Sequence, residues 1–270
     1  MTKSVIVFKT HIWNDDLEKF VVKIFNQARS CSVDFYVVMH TENNDIYHKI
    51  TTNYIKDITL VITEADIRQL YQKGFYSMWL SNHWILMWFY KKFATKYEYF
   101  WNMEYDVRIS GDSRKLWSCT NNDDFMYVTG FFHKPNHLYF DYYIGNKIEN
   151  ADKYFGFLQL ARYSNKLLAY LNECFESGEN GQDELIIFSL IASTLEGADS
   201  SCKRGLSEQR NCGNNFAGSA NKFSCSNKLL SSMQCGAWTW DDAWSNHNKC
   251  LYEMAEKMNY GQIYIYHPVK

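Results

Sequence analysis

Two carboxylates separated by one residue, Glu104-Tyr105-Asp106, follow an aromatic run that includes Tyr97, Tyr99, Phe100 and Trp101. In an extended chain, residues i and i+2 point the same way, so Glu104 and Asp106 can face one cation. Hard carboxylate oxygens suit Mg²⁺ or Mn²⁺, and such an ion neutralises a diphosphate. The same triplet in a solvated loop would do no chemistry; its place at the end of a strand is what favours a site. His267, at the end of the last apolar run, is a third metal ligand if the fold returns it to the sheet, and otherwise an exposed histidine. Asp183-Glu184 open a helix after the break at Gly178 and Gly181. Acidic residues stabilise a helix N-terminus; a carboxylate there can also be a general base that takes the proton from an attacking hydroxyl. Weaker signals are Lys9-Thr10-His11, where the first strand exits, and Asn82-His83 at a helix start, a ready anion site. No Gly-x-Gly-x-x-Gly, Walker-type loop or Gly-x-Ser-x-Gly elbow occurs, which argues against dehydrogenases and P-loop kinases.

The elements that must position these residues alternate in type. Strands are predicted over 5–9, 33–40, 58–63 and 97–103, the last running into Glu104. Between the first two, Asp15-Asp16 precede a helical repeat of Leu17, Phe20, Val21, Ile24, Phe25 and Ala28. A helix start follows at Glu64-Ala65-Asp66, and another helix covers 81–93, with Ser81 or Asn82 as its cap. Strands alternating with helices predict an α/β fold with a mainly parallel sheet, and ligands of such sheets sit outside the carboxyl ends of the strands. The second half is predicted to hold a strand over 124–129, a helix over 157–175 with Leu158, Leu160, Leu167, Leu168 and Leu171 on its apolar face, and a helix over 183–195. A long Ser/Asn/Gly-rich loop over 198–228 and a last strand over 262–266 complete the reading.

The length of 270 residues fits one large domain. An aromatic content of 17% suits either a ring-rich core or flat carbohydrate-binding surfaces. A net charge of −2 without a basic stripe argues against nucleic-acid binding. The apolar run Val5-Ile6-Val7-Phe8 is too short for a signal peptide, and the most apolar stretch, 79–93, is interrupted by Ser81, Asn82, His83, Lys91 and Lys92, so no membrane span is expected. A cytoplasmic location follows as the expectation. The eight cysteines include no Cys-x-x-Cys pair, which argues against structural zinc, and free thiols are expected.

The run Tyr99-Phe100-Trp101-Asn102-Met103-Glu104-Tyr105-Asp106-Val107-Arg108-Ile109-Ser110-Gly111 resembles a glycosyltransferase-like family of GT-A type with an E-Y-D-V-R-x-S/T-G core. The resemblance extends to Arg162-Tyr163-Ser164, to Gly181-Gln182-Asp183-Glu184 and to His267-Pro268-Val269-Lys270, in that order along the chain, and the whole chain is similar to glycosyltransferases encoded by chloroviruses. It implies a single GT-A-like (Rossmann-like) domain over 1–270, with a nucleotide-sugar-binding half near 1–111 and an acceptor-binding half near 112–270. It further implies an inverting transfer from a UDP-sugar, with a pentose such as xylose as a candidate, to a glycan acceptor in the host cytoplasm. Metal ligands would be Glu104, Asp106 and His267, holding Mn²⁺ or Mg²⁺. Lys9, Thr10, His11, Asn82, Glu104 and Tyr105 would face the nucleotide. The base would be Glu184, with Asp183 next to it, and Asp241-Asp242 beside Trp238 and Trp240 as a further option. The chain departs from the usual acid-x-acid metal motif and base motif of GT-A-type transferases in two places. Glu104 stands where the motif usually begins with Asp, which points to Glu104 contacting ribose or a metal-bound water and to Asp106 as the direct ligand. The base motif reads Asp-Glu in place of Glu-Asp. Two other classes use such residues: a non-catalytic glycan-binding protein, and a metal-dependent phosphoesterase or nucleotidyltransferase.

Overall fold

The computed structural model describes residues 3–42, 45–130, 132, 141–149, 153–194, 222–239, 241–258 and 262–270. The first part alternates as the apolar pattern predicts: β1 (Ser4–Thr10), α1 (Asp15–Ser30), β2 (Asp34–His40), the short helices α2 (Asp45–His48) and α3 (Asn53–Asp57), β3 (Thr59–Ile62), α4 (Glu64–Arg68), α5 (His83–Phe93) and β4 (Tyr99–Glu104). Then come β5 (Arg108–Ser110), α6 (Arg114–Trp117), β6 (Phe125–Tyr127), β7 (Leu160–Ser164), α7 (Asn165–Glu176) and α8 (Asp183–Ala192). The chain closes with β8 (Cys225–Ser226), α9 (Lys228–Met233), β9 (Gln234–Trp238), a 3₁₀ turn (Asp242–Trp244), α10 (Ser245–Met258) and β10 (Tyr264–His267).

The result is a single α/β domain around a seven-stranded sheet of order β3-β2-β1-β4-β7-β6-β8. β3, β2, β1 and β4 run parallel, while β7 is antiparallel to both β4 and β6. β1 lies inside the sheet between β2 and β4, and Val5 to Phe8 are fully buried. Its alternation divides the core into two layers. Val5 and Val7 pack with Phe100 toward α5, α7 and α8, whereas Ile6 and Phe8 pack with Trp101 and Met103 toward α1. Fully burying a side chain of the size of Phe8 contributes roughly 2 kcal/mol.

α1 starts where Asn14 Oδ1 accepts from the Leu17 amide at 2.9 Å, and it buries Leu17, Phe20, Val21, Ile24 and Ala28. Glu18, on the same helix, is turned inward and 6% exposed. Its carboxylate accepts from the Trp13 indole at 2.9 Å, the Thr51 hydroxyl at 2.7 Å and the Thr52 amide at 2.7 Å. Burial pushes its pKa up, but the bonds from Thr52, Trp13 and Thr51 outweigh it and hold the group at about 2, below the usual 4.5. A depressed carboxylate stabilises the fold above its unfolded pKa, and the contribution is lost as pH falls through the folded one. Glu18→Gln should therefore cost about 2 kcal/mol at pH 7 in urea unfolding. It should also flatten the loss of stability between pH 4.5 and pH 2 that the unmodified protein shows.

Several sequence expectations are corrected. The helix expected over 157–175 is β7 followed by α7. Every residue of β7 is buried, so the two-residue alternation that marks a half-exposed strand is missing. Asn82 precedes α5 but does not cap it with its side chain, which goes to Glu104. A second, three-stranded sheet of order β5-β10-β9 was not predicted. Most of the loop expected over 198–228 lies outside the described residues, as do Trp240, Cys202 and Cys212; the end of that stretch carries β8. The six cysteines among the described residues are free thiols. No helix among those residues is long and apolar enough to cross a membrane.

Candidate active site

At the carboxyl ends of β1, β2 and β4 lies a cavity of about 760 Å³. It is lined by all ten site residues singled out from the sequence: Lys9, Thr10, His11, Asn82, Glu104, Tyr105, Asp106, Asp183, Glu184 and His267. Asp242 also lines it, whereas Asp241 does not and instead caps the 3₁₀ turn.

Each residue arrives there for a local reason. Lys9 and Glu104 are register partners on the parallel strands β1 and β4, and both point to the α5 side of the sheet. Lys9, 4% exposed, places Nζ 3.4 Å from Glu104 Oε1, and Asn82 donates to the same oxygen at 2.7 Å. Beyond Glu104 the chain turns at Tyr105-Asp106 and enters β5. Gly111 ends β5 with φ +70, and a side chain there would sit 2.5 Å from the Gln262 carbonyl. Glycine therefore lets β10 lie close against β5. That antiparallel pair, with Arg108 opposite Tyr266, carries His267 back to the tip of β4. The Val269 amide donates to the Asp106 carbonyl at 2.8 Å, and Asn248 donates to the carbonyls of His267 and Pro268.

Asp106 Oδ2 and His267 Nε2 are consequently 3.5 Å apart, both on buried residues. Burial alone would raise the Asp106 pKa, but the bond to His267, the His267 charge and Lys270 bring it below the usual carboxylate range. Its Oδ1 is buried with no hydrogen-bond partner among the described residues. An orphaned carboxylate oxygen beside an imidazole fits a divalent cation with two protein ligands, the remaining positions being left to water and phosphate oxygens. No three His, Cys, Asp or Glu side chains among the described residues form a ready-made metal cluster. Glu104 is thus not a preformed third ligand: its Oε1 is held by Asn82 and Lys9, and burial raises its pKa against the pull of Lys9.

No family model matches the chain, and no curated protein matches it. Among solved structures, it is similar to a glycosyltransferase involved in glycosylation of the major capsid of PBCV-1, at a TM-score of 0.31 and 10% identity over 64% of this chain and 65% of that one. It is also similar to the galactosyltransferase LgtC in complex with donor and acceptor sugar analogues, at 0.36 and 10% over 70% and 69%. A third is the inositol-1-phosphate CTP transferase from T. maritima, at 0.35 and 11% over 73% and 97%. The match thus spans just under two thirds of the first of these proteins. Likeness at this level says nothing about activity, and the functional argument rests on the site itself.

α8 presents Asp183 and Glu184 to the same cavity, buried at 7% and 3% exposure. The turn before it is packed tightly, since a side chain at Gly181 would meet the Tyr142 carbonyl at 2.8 Å. Fully buried Asn180 ties that turn to α5. Its Oδ1 accepts from the Trp84 indole at 3.0 Å and lies 3.3 Å from His83 Nε2. Gln182 caps α8 by accepting from the Leu185 amide, and its own amide donates to Asp183 Oδ1 at 2.7 Å. Glu184 accepts from Gln159 at 2.6 Å on Oε1 and from Gln182 at 3.4 Å on Oε2, so both its oxygens are engaged. The bonds to Asp183 gather on Oδ1, which also takes the Glu184 amide at 2.7 Å. Burial first, and then the charge of Glu104, raise the Asp183 pKa to about 7, with Lys9 opposing.

Around the rim, the His11 ring meets Tyr105 edge-on at 4.7 Å. The His11 pKa is lowered by burial and by His40. Lys270 pairs with Asp242 at 2.6 Å. Sequence reasoning gave no role to His40, Thr41, Gln159 or Gln182, all of which line the cavity. Gln159 carried no legible signal because its segment read as helix; Gln182 could have been found as the residue before Asp183, where an N-cap belongs.

Proposed function

We propose that the protein is a metal-dependent glycosyltransferase that moves a sugar from a UDP-sugar to a glycan acceptor with inversion. One observation carries the reading. A paired acid and imidazole with a free carboxylate oxygen and a carboxyl group of raised pKa line the same cavity at the strand ends. Asp106 and His267 would hold Mn²⁺ or Mg²⁺, which supplies charge neutralisation for the departing nucleoside diphosphate. Lys270 adds a fixed positive charge on the same wall. Lys9, Thr10, His11, Asn82 and Tyr105 bind the donor, with Glu104 accepting from its hydroxyls. Asp183 takes the proton from the acceptor hydroxyl as that oxygen attacks the anomeric carbon, the bond to the diphosphate breaking on the opposite face. Glu184, next in sequence and held by two amides, orients the base rather than acting as it. In this scheme the donor lies over the strand ends of residues 1–111, and the rest of the chain supplies the acceptor side.

The test is a thermal-shift screen of nucleotides and nucleotide-sugars with and without Mn²⁺, followed by product analysis. A Mn²⁺-dependent shift with UDP and release of intact UDP from a UDP-sugar are expected. Release of phosphate or pyrophosphate would point to a phosphoesterase or nucleotidyltransferase. Glycan binding with no nucleotide response would point to a non-catalytic lectin-like protein.

A further inference from the structure

Gln159 lies just before β7, opposite Glu104. The Glu104 amide donates to the Gln159 carbonyl at 2.9 Å, which carries the antiparallel β4–β7 pairing one residue past Met103 and Leu160. On its other side, Glu104 is the register partner of Lys9. Directly paired residues on neighbouring strands present their side chains to one face of the sheet. Two residues back from Lys9 and two on from Gln159, Val7 and Ala161 pack in the core layer of α5, α7 and α8. Lys9, Glu104 and Gln159 therefore form one row across three strands, directed to the layer that holds α8, and all three line the cavity.

Lys9 and Glu104 face each other at 3.4 Å, but the third member of the row is only half satisfied. Gln159 is 5% exposed, and its Nε2 donates to Glu184 Oε1 at 2.6 Å. A carboxylate oxygen only accepts, so this bond fixes which end of the amide faces Glu184. The other end, Oε1, is buried with no hydrogen-bond partner among the described residues. A buried acceptor left unpaired carries the full cost of its desolvation, and native structures keep few of them. At the lining of a cavity, a donor on a ligand removes that cost.

We infer that Gln159 is a specificity-determining residue whose Oε1 accepts a hydrogen bond from a hydroxyl of the sugar being transferred. The inference rests on the glycosyl-transfer reading above. Sugar hydroxyls donate, whereas ionised phosphate oxygens only accept, so the orphaned oxygen suits the sugar and not the diphosphate. Its place in the row favours the donor's sugar. Gln159 is tied by its main chain to Glu104, which is assigned to the donor, and by its side chain to Glu184, beside the proposed base. A ring held between these two is the one whose anomeric carbon passes from diphosphate to acceptor. A site built to bond a hydroxyl rejects the analogue that lacks it, because the protein oxygen is again left bare.

The test measures UDP release with Mn²⁺ and no acceptor, from UDP-glucose, UDP-galactose and UDP-xylose, and then from the C2, C3 and C4 deoxy forms of the best of them. It compares the full unmodified chain with Gln159→Leu and Gln159→Met, two apolar replacements of similar size. Both variants should lose about tenfold in kcat/KM on the parent donor. One deoxy form should cost the unmodified protein a similar factor and cost the variants nothing further, since hydroxyl and oxygen make one contact. The UDP–Mn²⁺ thermal shift should be the same in all three proteins. An equal loss in the variants on every donor, deoxy forms included, would mean that Gln159 acts only through Glu184 and would overturn the inference. So would a weakened shift with UDP alone, or a loss that appears only when methyl glycosides are added as acceptors. If no deoxy form costs the unmodified protein anything, the inference falls whatever the variants do. No UDP release from any of the three donors would overturn the transferase reading, and this inference with it.

Discussion

Asp106→Ala should lower sugar transfer by about a thousandfold or more, because it removes the carboxylate assigned to the cation at the departing diphosphate. The fold should survive. Among the described residues Asp106 makes no hydrogen bond through Oδ1, and its main chain, which bonds Val269 and leads into β5, is untouched by the substitution. The Asp106–His267 contact of 3.5 Å is long for a strong hydrogen bond, so its loss should shift the melting temperature by only a few degrees. Transfer is measured as UDP release from a UDP-sugar, and the UDP–Mn²⁺ thermal shift should vanish in the same variant. Full activity with a normal fold would remove the metal assignment.

Asp183→Asn should lower kcat by about 10²–10⁴ while leaving donor affinity in place, as expected when a general base is removed. The amide oxygen of Asn can keep the bonds from the Glu184 amide and Gln182 that Asp183 Oδ1 receives. In the unmodified protein the proposed base must be ionised to act, and the Asp183 pKa is raised to about 7, first by burial and then by Glu104. Activity should therefore rise with pH through that value and level off above it, and the variant's residual activity should lack this limb. The stability effect has the opposite sign to that of Glu18. A carboxyl whose folded pKa lies above its unfolded 3.8 binds protons preferentially in the native state, so native stability falls as pH rises from about 4 to 7. Asp183→Asn should then be more stable than the unmodified protein at pH 8, by roughly 1–2 kcal/mol in urea unfolding. A less stable variant, or an unchanged pH profile, would contradict the placement of the base at Asp183.

Much of this site was legible in the sequence, and the reasons are local. The order from β1 to β4 followed from apolar periodicity, and the position of Glu104-Tyr105-Asp106 at a strand end followed from the aromatic run before it. What the sequence did not carry are the long-range pairings. β5 is three residues long, and β9 reads Gln-Cys-Gly-Ala-Trp, with little strand propensity, so of the small sheet that brings His267 to Asp106 only β10 was legible, as the strand over 262–266. The partnership of Lys9 with Glu104 depends on the β1–β4 register, which is set by neighbouring strands and not by either segment alone. The proposal of Asp183 over Glu184 as base rests on the hydrogen bonds of Gln159 and Gln182, and Gln159 lies just before a strand, β7, whose uniform burial disguised it as helix.

Anomalous diffraction from a crystal grown with UDP and Mn²⁺, collected near the manganese edge, bears most directly on the account. A single peak is expected about 2.2 Å from an Asp106 oxygen and from a His267 nitrogen, with diphosphate oxygens completing the shell. A peak away from both residues, or UDP bound with no manganese between them, would contradict it.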